Sequence, residues 1–255
     1  MAYRRYGYGG GGYRYPGGGG GGGGGLSFFG PMTPTVMYII IANVGVFLLF
    51  VFAPQIITAA FSLVPGKIYE GVPQLWRLVT YMFVHAGFAH ILFNMLVVWW
   101  FGSPLEQIWG QKKFLKYYFI TGIGAGIVCV PFYPPQTPIV GASGAIFGLL
   151  MAFALIYPNA RVYLWFLIPI KVKYLVIAFA VIELTATMSY MGGHGASNIA
   201  NIAHLSGMAI GYFYLRGFMD IRVFWKRRKM KKARRAYRVM KDDDNDRDGK
   251  GPWLH

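Results

Sequence analysis

The sequence predicts an all-α membrane protein whose spans form a six-transmembrane-helix bundle. Three observations carry that prediction: a shortage of charge, six apolar segments of near-spanning length, and Lys and Arg gathered on alternate loops. Of 255 residues, 55% are hydrophobic and 13% charged, against about 25% charged in an ordinary soluble domain. Apolar surface on that scale must face lipid. The segments run from Val36 to Ala53, Phe88 to Trp109, Phe114 to Phe132, Ser143 to Tyr157, Tyr174 to Tyr190 and Ile199 to Leu215. Most approach the ~20 residues that a helix needs to cross a ~30 Å hydrocarbon core. The fourth, at 15 residues, is short.

Residues 1–33 are rich in Gly, Tyr and Arg and include nine consecutive Gly at 17–25, a composition too permissive to fold alone. They are expected to form a disordered cytoplasmic tail. The first span follows, and its ~18 apolar residues exceed a signal-peptide core, so it should stay as an anchor. The loop from Pro54 to Thr80 is apolar and ends in Trp76 and Arg77, which suits a structure half sunk in the membrane interface. The second span carries His90 and Asn94, with His85 before it. In the third span Gly122 and Gly126 are read as packing glycines, and the lone Cys129 has no internal disulfide partner. The loop from Pro131 to Gly141 must dip into the membrane to meet the short fourth helix. Bare backbone can do so where protein or water covers it, so a hollow open to the outside is expected. The fifth span holds Glu183 and the sixth His204. Residues 34–217 thus form the membrane domain.

Charge orients the bundle. Arg4, Arg5 and Arg14, then Lys112, Lys113 and Lys116, then Arg161, Lys171 and Lys173 fall on one side, and twelve more Lys and Arg lie between Arg216 and Lys241. By the positive-inside rule that side is cytoplasmic, and both termini belong to it. Residues 218–255 read as a basic cytoplasmic tail ending in an acidic segment, attracted to anionic headgroups at roughly 1 kcal/mol per charge. The lipid bilayer is the partner this implies. The net charge of +16 follows from topology, so no nucleic acid is expected. Asp244, Asp246, Asp248 and Gly249 match the start of a calcium loop, but His255 stands where a bidentate Glu belongs. A solvated tail is the better reading.

Polar residues inside a membrane are costly and usually have a job. Counting ~1.5 Å per residue from the inner helix ends places Ser143 at about 22 Å, His204 at about 18 Å, Asn94 at about 22 Å and His90 at about 28 Å. A hydroxyl, an imidazole, and an amide with a second imidazole converge on one layer. Such a set suits acyl-transfer chemistry, in which a weak hydroxyl nucleophile needs a neighbouring base. Gly144 with Gly148, and Gly207 with Gly211, are GxxxG pairs that let two helices approach closely. Paired histidines raise the possibility of a metal, but His85 and His90 are five residues apart and no Cys or carboxylate joins them. No metal and no cofactor are expected.

Together these motifs resemble those of the rhomboid intramembrane serine proteases. The matching elements are Trp76 and Arg77, the pattern HxxxxHxxxN of His85, His90 and Asn94, then Glu106, the GxSG of Gly141, Ser143 and Gly144, and the AHxxGxxxG of Ala203, His204, Gly207 and Gly211. They cover roughly residues 36–215 in family order.

The resemblance implies a rhomboid-like bundle in the cell membrane, with Ser143 as nucleophile and His204 as base in a dyad that no acidic residue completes. His90, Asn94 and the Ser143 backbone N–H would stabilise the oxyanion, and His85 would hydrogen-bond the loop behind them. Phe147, one turn below Ser143, would hold the His204 ring, a place where the family often has Tyr. Glu183 is read as neutral, hydrogen-bonded or near the substrate entry. Arg77 and Glu106 are read as structural, and Asn201 as helix-start polarity or an orienter of His204. The implied reaction is cleavage of transmembrane protein substrates near the outer interface through an acyl-enzyme. The alternatives are a catalytically silent rhomboid-like protein that binds clients and a transporter with a polar midplane site.

Overall fold

The computed structural model describes residues 30–164, 168–191 and 201–217. Most of the expected N-terminal tail, the fifth loop with Ser197 and Asn198, and the basic and acidic C-terminal tail lie outside the described residues.

Helix α1 (Pro34–Phe52) begins on a proline, whose missing N–H costs nothing in a first turn. It ends at Ala53, which precedes Pro54 and is driven out of helical geometry. The first loop then folds into short helices α2 (Pro54–Phe61), α3 (Gly66–Tyr69) and α4 (Arg77–Thr80), followed by a 3-10 turn, Tyr81–Phe83. Arg77 is buried and donates to the carbonyls of Ser62 at 2.7 Å and Ala59 at 2.5 Å. A cation there satisfies the open C-terminal end of α2. Leu63 and Ile139 pair as an isolated bridge that ties the first loop to the third.

Helix α5 (Phe88–Val97) passes through a π-helical segment, Val98–Gly102, into α6 (Ser103–Trp109). Glu106 of α6 reaches back to the start of α1. It accepts from Thr33 Oγ1 at 2.5 Å and from the Thr35 and Val36 amides at 3.1 Å each. A remote carboxylate thereby caps the amides that α1 cannot satisfy itself. Gly110, at φ 75°, reverses the chain into α7 (Gln111–Cys129).

Helix α8 (Ser143–Ile156) is short, and more than half of its residues are buried. After it, β1 (Arg161–Leu164) pairs antiparallel with β2 (Ile168–Lys171), and α9 (Val172–Met191) follows. The final helix, α10, covers residues 201–217.

Among the described residues, four helical stretches are long and apolar enough to cross a membrane: Pro34–Phe52, Phe88–Trp109, Gln111–Phe132 and Val172–Ser189. The fold is therefore a multi-span, mostly α-helical membrane type. Large apolar side chains face outward along α1 (Ile41, Leu48, Leu49, Phe52) and α9 (Ile177, Val181, Ile182, Met188), as suits surfaces bathed in lipid. The expectation of an all-α chain needs correction at the hairpin. Residues 161–171 are rich in β-branched and aromatic types, which favour strands.

The chain divides into two compact units, Met1–Gly211 and Tyr212–His255. In the second, the Arg216 guanidinium lies over the Tyr212 ring at 5.3 Å.

Candidate active site

Ser143 is the first residue of α8, where a backbone N–H has no partner within the helix. The chain reaches it through Gly141, whose φ of 116° lies in the region that L side chains rarely adopt. Space also demands glycine here. A Cβ would sit 2.8 Å from His90 Nε2 and 3.8 Å from Asn94 Nδ2. His90 and Asn94, one turn apart on α5, are thus pressed against the backbone two residues before Ser143.

His85 supports this pair from behind. It is fully buried, and its Nε2 lies 2.9 Å from Asn94 Nδ2 while Nδ1 lies 3.3 Å from the Phe83 carbonyl. The bonds are consistent with a neutral ring that donates from Nδ1 and accepts at Nε2, which leaves Asn94 one free amide hydrogen. Burial first, and the nearby His90 second, push the His85 pKa down to about 4. The rings of His85 and His90 meet edge-on, with centroids 4.9 Å apart.

On the other side of Ser143, α8 and α10 cross in close contact. A Cβ on Gly207 would overlap the Gly144 carbonyl, and one on Gly211 would strike the Tyr117 hydroxyl and meet Gly148 Cα at 3.3 Å. Small residues let the two backbones touch. A Cβ on Gly144 would in turn meet Ala125 of α7 at 2.7 Å. The crossing brings Phe147 flat onto His204, with centroids 4.1 Å apart and planes 10° from parallel. Phe179 of α9 meets Phe147 edge to face, with centroids 6.0 Å apart.

The His204 ring is fixed at one nitrogen. Its Nδ1 lies 2.8 Å from Glu183 Oε1, and the two side chains are 14% and 12% exposed. Of the readings given for Glu183, the hydrogen-bonded one is the one observed, and its partner is His204. Depth arithmetic is consistent with the pairing without fixing it: Glu183 is eight residues from the end of α9 at Met191, about 12 Å at 1.5 Å each, the depth of His204 below the outer face of a ~30 Å core. Asn201 is buried, its Nδ2 has no partner among the described residues, and it does not join His204. Ser143 and the His204 ring are likewise not hydrogen-bonded to each other among the described residues, and bonds of that kind are often long until substrate is bound.

The Rhomboid domain profile matches residues 72–220. Among curated proteins, the chain is 35% identical over 140 residues to "Rhomboid protease GluP" of Bacillus subtilis, covering 55% of this chain and 25% of that protein. It is 28% identical over 196 residues to "RHOMBOID-like protein 12, mitochondrial" of Arabidopsis thaliana, covering 69% and 55%. It is 30% identical over 141 residues to "RHOMBOID-like protein 5" of the same plant, covering 55% and 43%. The chain thus spans between a quarter and about half of these relatives' own lengths.

Proposed function

This chain belongs to the rhomboid family, and on that premise we propose that it is an intramembrane serine endopeptidase that cleaves transmembrane protein substrates near the outer interface of the cell membrane. The protease domain is residues 34–217, a six-span bundle with cytoplasmic termini, flanked by the tails 1–33 and 218–255. The single observation that carries the reading is the convergence around Ser143: Gly141 against His90 and Asn94 on one side, and Gly144 against Gly207 with Phe147 against His204 on the other.

In this reading His204 Nε2 takes the hydroxyl proton of Ser143 as Oγ bonds to the scissile carbonyl carbon and the carbonyl π electrons move onto oxygen. The Ser143 N–H, the free amide hydrogen of Asn94 and the His90 ring receive that oxyanion, each donor worth about 2.7–4 kcal/mol in comparable proteases. The C–N bond then breaks as His204 returns the proton to the leaving amine, which leaves an acyl group on Ser143. Water, deprotonated by the same ring, releases it.

The test mixes purified protein in detergent with a reporter that carries one transmembrane segment, using wild type, Ser143→Ala and His204→Ala. Cleavage by the wild type alone is expected. Equal processing by all three overturns the reading, and wild-type binding without cleavage favours a client-binding protein.

A further inference from the structure

We propose that Glu183 is a positioning residue for the base, so that the reacting set is a Ser–His–Glu relay whose third member comes from α9. The proposal rests on the protease reading above. A carboxylate in a membrane span is expensive and needs compensation. Glu183 is 12% exposed, its Oε2 has no partner among the described residues, and the one side-chain hydrogen bond found for it runs to His204 Nδ1. In the relay Glu183 acts as a carboxylate, which accepts and does not donate, so the hydrogen of this bond lies on Nδ1. That leaves the Nε2 lone pair as the basic site, as the reaction needs.

The same helix holds the ring a second way. Phe179 and Glu183 are four residues apart and share one face of α9. Phe179 packs edge-on against Phe147, which covers the face of the imidazole, while Glu183 holds its edge. When Nε2 takes the Ser143 proton, the carboxylate faces the positive charge that forms and keeps its own proton count unchanged.

The experiment compares wild type with Glu183→Gln on the transmembrane reporter, with Ser143→Ala and His204→Ala as blanks. Nitrogen-15 histidine spectra are recorded in the Ser143→Ala background, and His204 is assigned by its loss in His204→Ala. Gln is nearly isosteric but uncharged, so kcat should fall at least about tenfold with KM changed less than about twofold; in soluble proteases the equivalent exchange costs about 10⁴ in kcat. The spectra should show His204 protonated at Nδ1 with Glu183 present and lose that single form in Glu183→Gln. Ser143-dependent cleavage that survives Glu183→Gln unchanged overturns this proposal and leaves the protease reading standing. A wild type that cleaves nothing sinks the protease reading instead. If Glu183→Gln does not fold, the spectrum with Glu183 in place decides: a hydrogen on Nε2 overturns the relay.

Discussion

The Phe147 ring lies parallel to the His204 imidazole at 4.1 Å, and it does so from the turn directly below Ser143. Stacking of this kind contributes about 0.5–1.5 kcal/mol beyond simple burial. Phe147→Ala should therefore lower kcat/KM about two- to tenfold, whereas Phe147→Tyr should retain it. Steady-state cleavage of a transmembrane reporter separates the two. An Ala variant as active as wild type would show that the ring needs no such support.

Gly207 allows no side chain, because its Cβ would occupy the space of the Gly144 carbonyl. Gly207→Ala should force α8 and α10 apart, cost roughly 1–3 kcal/mol in stability and abolish turnover. Gly45→Ala on α1 meets nothing within 4 Å and should be silent or slightly stabilising. Thermal unfolding in detergent, read alongside cleavage, checks both.

Gly141→Ala combines a strained backbone with a clash against His90. Strain at such a position costs on the order of 1–3 kcal/mol. The His90 donor should be displaced, so kcat should fall more than stability does. A fluorophosphonate probe that labels Ser143 as fast in this variant as in wild type would argue against His90 as an oxyanion donor.

His85 supplies a pH dependence. Its folded pKa of about 4 lies below the ordinary 6.5, so between those values the unfolded chain binds a proton that the folded chain refuses. Stability is then full above about pH 6.5 and is lost as pH falls toward 4, by roughly 3 kcal/mol from this group. Unfolding midpoints at intervals across that window should decline, and His85→Gln should flatten the decline.

Hydropathy made the helical segments legible, since lipid imposes one solution on a long apolar run. Ser143, His90, Asn94 and His204 stood out because each interrupts such a run at a similar depth. Glu183 interrupts one too, but its partner lies across a loop, and counting residues fixes depth without fixing which face a helix turns toward its neighbour. The β1–β2 hairpin stayed hidden because Val162 to Ile170 is a nearly unbroken apolar string, and periodicity alone cannot separate a short apolar strand from a helix end or connection. The π-helical segment at Val98–Gly102 has no evident local signature.

Glu106 binds the first turn of α1 from 70 residues away, and Arg77 grips the carbonyls of Ala59 and Ser62 across the exposed turn at Glu70, Gly71 and Val72. Both clasps join parts of the molecule that the turn itself merely strings together. A protease nick at Gly71 would therefore sever the covalent path without freeing the leading fragment, and the two pieces should co-purify as a split protein.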